Sequence, residues 1–122
     1  MPADEAEGLV TDLLSPPTVD EAGDGYLELD FTGPATVRLG PYPGMAANDV
    51  VTVRWALWDE RWESRLRIPG TQVGRAVTVL IPNPYVTRSA TWVSYAIDRF
   101  GGGTSESEVL ALNGAAPEPR RP

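Results

Sequence analysis

VVTVRWALW, residues 50–58, decides the fold class. Val51, Val53, Trp55 and Leu57 fall on one side of an extended chain; Thr52, Arg54 and Trp58 fall on the other. Side chains on a strand alternate faces with a period of two, so the first set predicts a core face and the second a solvent face. Asp59 and Glu60 predict a turn after it, and residues 62–68 a return strand closed by Pro69 and Gly70. Arg65 and Arg67 alternate outward on that strand, so they share a predicted outer face with Arg54.

Outward from this hairpin the same period recurs. Residues 76–81 are a nearly continuous apolar run, a well-covered strand stopped by Pro82 and Pro84. Residues 91–99 predict another strand, with Val93, Tyr95 and Ile97 on one face. Gly101 to Gly103 make a hairpin tip, and residues 107–112 predict the last strand, with Leu110 and Leu112 on one face and Val109 and Ala111 on the other. On the N-terminal side, residues 35–39 read as a strand after Gly33-Pro34, and residues 26–31 alternate and read as one more. The loop at residues 40–44, rich in Gly and Pro, has few conformations open to it. About seven strands separated by turn signals predict an all-β domain, an antiparallel β-sandwich, over residues 18–113. Residues 114–122 form a proline-rich tail. Residues 1–17 form an acidic arm, a short helix or extended. Leu9, Val10, Leu13 and Leu14 fall on one helical face, Asp4 with Glu7 resembles a capping box, and Pro16-Pro17 ends the segment.

The chain of 122 residues has the size of one domain, and 42 % of it is apolar. It contains no Cys, no His and no Lys. Those absences exclude Ser-His-Asp and Cys-His catalysis, the usual zinc sites and lysine Schiff-base chemistry, so neither an enzyme nor a cofactor is expected. The net charge is −7, unevenly placed: residues 1–30 hold nine acids and no base, whereas residues 31–122 hold eight acids and ten Arg. An acidic protein is a poor match for nucleic acid, whose phosphates favour a basic face. No run approaches the ~20 apolar residues of a membrane helix, and the N-terminal residues lack the pattern of a signal peptide. A soluble chain is expected, cytoplasmic or exported without an N-terminal signal.

Three groups of residues are candidates for binding. Trp58, Trp62 and Trp92 fall outside the predicted inward sets; exposed indoles stack on sugars or anchor protein interfaces, and the alternative is that these rings cover sheet edges or pack under the arm. Arg54, Arg65 and Arg67, in a cluster with Arg61 and Arg75, predict a basic docking face for an acidic partner, and the alternative is scattered surface arginines laced with Asp59, Glu60 and Glu63. Leu9, Val10, Leu13 and Leu14 give the arm an apolar side that predicts packing of residues 4–14 on a sandwich surface, of its own domain or of a neighbour. Asp20, Glu21, Asp24, Glu28 and Asp30 offer oxygen ligands, but their spacing lacks the loop pattern of a dedicated calcium site, and solvated acids are the expectation.

The succession Pro17-Thr-Val19, Tyr42-Pro-Gly-Met45, the strand from Asp49 to Trp55, Val93-Ser-Tyr95, Gly102-Gly103 and Ser105-Glu-Ser107 resembles bacterial immunoglobulin-like repeat modules of large, tandem-repeat, adhesin-like proteins. The resemblance spans about residues 16–113 and carries no catalytic residue. It implies an immunoglobulin-like sandwich acting as a structural or protein-interaction module, a subunit or repeat of a larger assembly. This chain departs from the pattern in holding a single module and in the aromatic density of Trp58 to Trp62. The expected partner is protein, self or other. The alternative is a carbohydrate-binding module using the non-core tryptophans.

Overall fold

The computed structural model describes residues 13–28, 31 and 33–116. Its strands are β1 (Thr18–Val19), β2 (Ala35–Leu39), β3 (Val50–Ala56), β4 (Arg61–Arg67), β5 (Val77–Ile81), β6 (Thr91–Asp98), β7 (Thr104–Glu106) and β8 (Leu110–Leu112). They form two antiparallel sheets, a β-sandwich. One has the order β1-β2-β5; the other has the order β4-β3-β6-β7, with β8 also paired to β6. Among the described residues the only helical pieces are three short 3-10 turns, and no helix is long and apolar enough to cross a membrane.

The alternation of residues 50–56 is what builds the core. Val51, Val53 and Trp55 are fully buried, and β6 delivers Ile97, Tyr95 and Val93 opposite them in register. Val37, Leu39 and Ile81 close the same cluster from the other sheet. The Trp55 indole N–H donates to the Tyr85 carbonyl at 2.8 Å, so the largest core side chain leaves no polar atom unpaired. Leu57 lies beyond the end of β3 and is only half-buried, because its N–H turns back to the Glu60 carbonyl at 2.8 Å. β5 forms one side of its sheet: no strand among the described residues pairs its far edge, and Leu80 on it is exposed.

Two predicted strands are corrected. Residues 26–28 are not a strand, although Tyr26, Leu27 and Glu28 alternate. Side chains take their backbone donors: Asp24 Oδ1 accepts from the Tyr26 N–H and Asn113 Oδ1 from the Leu27 N–H, both at 3.0 Å. Leu29 and Asp30, the rest of that prediction, lie outside the described residues. Of the predicted last strand at 107–112 only its end, β8, is a strand, and β7 lies wholly before it. Ser107 makes the break. Its Oγ accepts from the Tyr95 N–H at 2.9 Å, in place of a backbone carbonyl.

The arm meets the sandwich at that break. Leu14 forms a parallel bridge with Ser107. Its N–H donates to the Glu106 carbonyl at 2.9 Å, and its carbonyl accepts from the Glu108 N–H at 2.8 Å. The Tyr95 hydroxyl donates to the Ser15 carbonyl at 2.9 Å. Asp49 is buried, and its carboxylate accepts three bonds: from the Tyr42 hydroxyl at 2.7 Å, the Ala46 N–H at 2.9 Å and the Phe100 N–H at 2.9 Å. The Arg99 guanidinium lies 5.1 Å from the centre of the Tyr42 ring and donates to the Pro43 carbonyl.

Candidate interaction surface

Strand parity puts Thr52, Arg54 and Ala56 of β3 on the outer face of the larger sheet. The register sets Arg61, Glu63, Arg65 and Arg67 of β4 beside them on one side, and Trp92, Ser94, Ala96 and Asp98 of β6 on the other. This face carries four arginines, and three of them lie beside acids. Arg54 lies between Glu63 at 3.7 Å and Glu106 at 3.0 Å, and reaches the latter over the small Ser94. Arg61 sits 3.6 Å from Glu63, and Arg65 is 3.8 Å from Asp98, diagonally across β3. Of the expected basic docking face, Arg54 and Arg65 are laced into exposed pairs, each worth about 1 kcal/mol or less, while Arg67 makes no ion pair among the described residues.

The three candidate tryptophans separate by environment. Trp58 is 75 % exposed. Trp92 is buried at 4 % exposure although it points outward from β6. Trp58 packs edge-on against it with ring centroids 5.0 Å apart, and the Trp92 N–H donates to the Ala116 carbonyl at 2.8 Å. The covering groups lie 34 residues before Trp92 and 24 after it, so alternation along β6 gave no sign of them. Trp62 points inward: it pairs with Trp55 in register and packs half-buried against the core, its ring 6.3 Å from that of Tyr85.

Trp58 stands between two concavities. A broad open groove of about 1090 Å³ runs over the outer face, lined by Leu13, Arg54, Trp92, Glu106 and Val109 among others. A smaller recess of about 420 Å³ lies on its other side, against Pro84, Thr87 and Ser89. Leu13 is exposed at the groove, whereas Leu14 is half-buried against the core. Leu9 and Val10, the other apolar residues assigned to the arm, lie outside the described residues. Asp59, Glu60 and Glu108 also line the groove and make no ion pair among the described residues.

The acids of residues 20–24 serve separate local bonds. Asp20 grips Arg38 through two bonds, at 3.0 and 2.7 Å, and that partner holds its carboxyl below the usual value. Glu21 accepts from both the N–H and the hydroxyl of Thr36, and Asp24 accepts from Tyr26. No group of three metal-ligating side chains converges among the described residues.

No family model, curated protein or solved structure matches this chain.

Proposed function

We propose that this chain is a non-catalytic protein-interaction module of immunoglobulin-like type that joins a larger assembly through the outer face of its five-stranded sheet. The observation that carries this reading is Trp58, an indole left three-quarters exposed beside an open groove while Trp92 supports it from below. A rigid aromatic held by a second aromatic, with polar and charged groups around it, is the anatomy of an interface anchor. The arrangement of three strands facing a sheet of β4, β3, β6 and the β7/β8 pair supports the immunoglobulin-like assignment. So does the core tryptophan on a central strand. The absence of His, Cys and Lys supports a role without turnover.

The carbohydrate alternative has weaker support. A sugar platform needs ring faces open to solvent, and of the three candidate tryptophans only Trp58 offers one, since Trp92 is covered and Trp62 is turned inward. Sedimentation over a concentration series, for the chain and its Trp58→Ala variant, tests the proposal. Self-association lost in the variant is the expected result. A chain that stays monomeric throughout, while a glycan array quenches Trp58 fluorescence, would replace the proposal with the alternative.

A further inference from the structure

The groove has a chemical preference that its shape alone does not reveal. Its carboxylates outnumber its guanidinium groups, and Arg54 and Arg61 are already held by Glu63 and Glu106. Asp59, Glu60 and Glu108 make no such pair among the described residues. Between them lies the exposed side of Trp58. Aromatic-lined grooves take polyproline segments, whose extended form costs little entropy to order, and neighbouring carboxylates select those that carry arginine.

We propose that this groove seats an arginine-bearing, proline-rich segment, and that the segment is the chain's own residues 117–122, Pro-Glu-Pro-Arg-Arg-Pro. The inference rests on the outer face being the interaction surface. Two observations choose this occupant. The hydrogen bond from Trp92 to the Ala116 carbonyl brings the chain to the groove immediately before residue 117. Six residues of polyproline span ~19 Å at ~3.1 Å each, enough to cross the sheet at its ~4.8 Å strand spacing. Charge selects against the rival segment, because residues 1–12, which lead to Leu13 at the same groove, contain four acids and no base. A seated tail is a built-in competitor that any protein partner of this face must displace.

The test compares the full chain with one ending at Ala116, which keeps the carbonyl that Trp92 needs. Each of the four tryptophans contributes one indole N–H resonance. Removing the tail is expected to shift the Trp58 resonance and leave that of buried Trp55 in place. The synthetic peptide Pro-Glu-Pro-Arg-Arg-Pro, raised to the millimolar concentration that a short tether supplies, is expected to return the Trp58 signal towards its full-chain position. Arg120→Glu with Arg121→Glu in the full chain should reproduce the truncation. A Trp58 resonance indifferent to truncation and to peptide would overturn this occupant, and the interaction surface would still stand if Trp58→Ala abolished self-association. A peptide that seats on a chain showing no self-association even when it ends at Ala116, where no tail competes, would uphold the occupant and count against the assembly role.

Discussion

Trp55 fills the space between the sheets with no exposed surface and has its one polar atom bonded to Tyr85. Trp55→Ala is expected to lose about 3–5 kcal/mol, the usual loss on truncating a large core aromatic, out of a total stability of about 5–15 kcal/mol. Urea denaturation measures it, and a midpoint near that of wild type would mean that the sheet faces are misassigned. Asp49 is the other residue on which much depends. Burial pushes its carboxyl up, but the Phe100 N–H, the Tyr42 hydroxyl, the Ala46 N–H and the Arg99 charge together hold it below the usual carboxylate range. A pKa lower in the folded chain than in the unfolded chain adds stability that is complete above the unfolded value near 3.9 and disappears as pH falls through the folded value. The urea midpoint should therefore fall from about pH 5 downward. Asp49→Asn, whose amide nitrogen cannot accept, should be less stable at neutrality and less sensitive to acid. A variant with the wild-type acid profile would remove Asp49 from that account.

Between the elements, the junction of the arm with β6 and the β7–β8 break offers a separable test. Tyr95→Phe removes only the bond to the Ser15 carbonyl and should cost about 0.5–1.5 kcal/mol. Deleting residues 1–15 removes that bond and the Leu14 bridge together. The melting temperature should drop by roughly 4–8 °C for each kcal/mol lost. In the deleted chain the hydroxyl has no Ser15 carbonyl to meet, so adding Tyr95→Phe there should cost much less, and equal costs in both backgrounds would break the assignment. This junction also marks how far sequence pattern reaches. β3 and β6 were legible because long strands with one buried face must alternate, as Val51, Val53 and Trp55 do against Ile97, Tyr95 and Val93. Residues 26–28 and Ser107 were not legible, because side chains from Asp24, Asn113 and Ser107 itself take over backbone bonds, and periodicity carries no record of them. The outer face was legible in its parity, which placed Arg54, Arg65 and Arg67 together. It was illegible in its cover, since the groups over Trp92 come from distant parts of the chain.

At the scale of the molecule, the sheets join strands far apart in sequence. β2 pairs with β5 and β3 with β6, and the chain crosses between sheets after β2, β4 and β5. Non-local pairing must close long loops before contacts offset their entropy, so folding followed by stopped-flow fluorescence should take milliseconds to seconds. A microsecond phase carrying the full signal change would contradict this. The far side of β5, unpaired among the described residues, bears on how the protein survives such slow folding. VTVLI, residues 77–81, has high β-propensity and no charge, and the register turns Leu80 to the outer face of its sheet opposite Thr36. In a concentrated or heated sample this ribbon is a template on which one chain can grow upon another, so damage there accumulates as insoluble fibre rather than as a lower melting point. Leu80→Lys would set a gatekeeper on that ribbon at a site with little burial to lose. Cycles of heating and cooling should then return more native protein from the variant than from the parent, and equal recovery would place the sticky surface elsewhere.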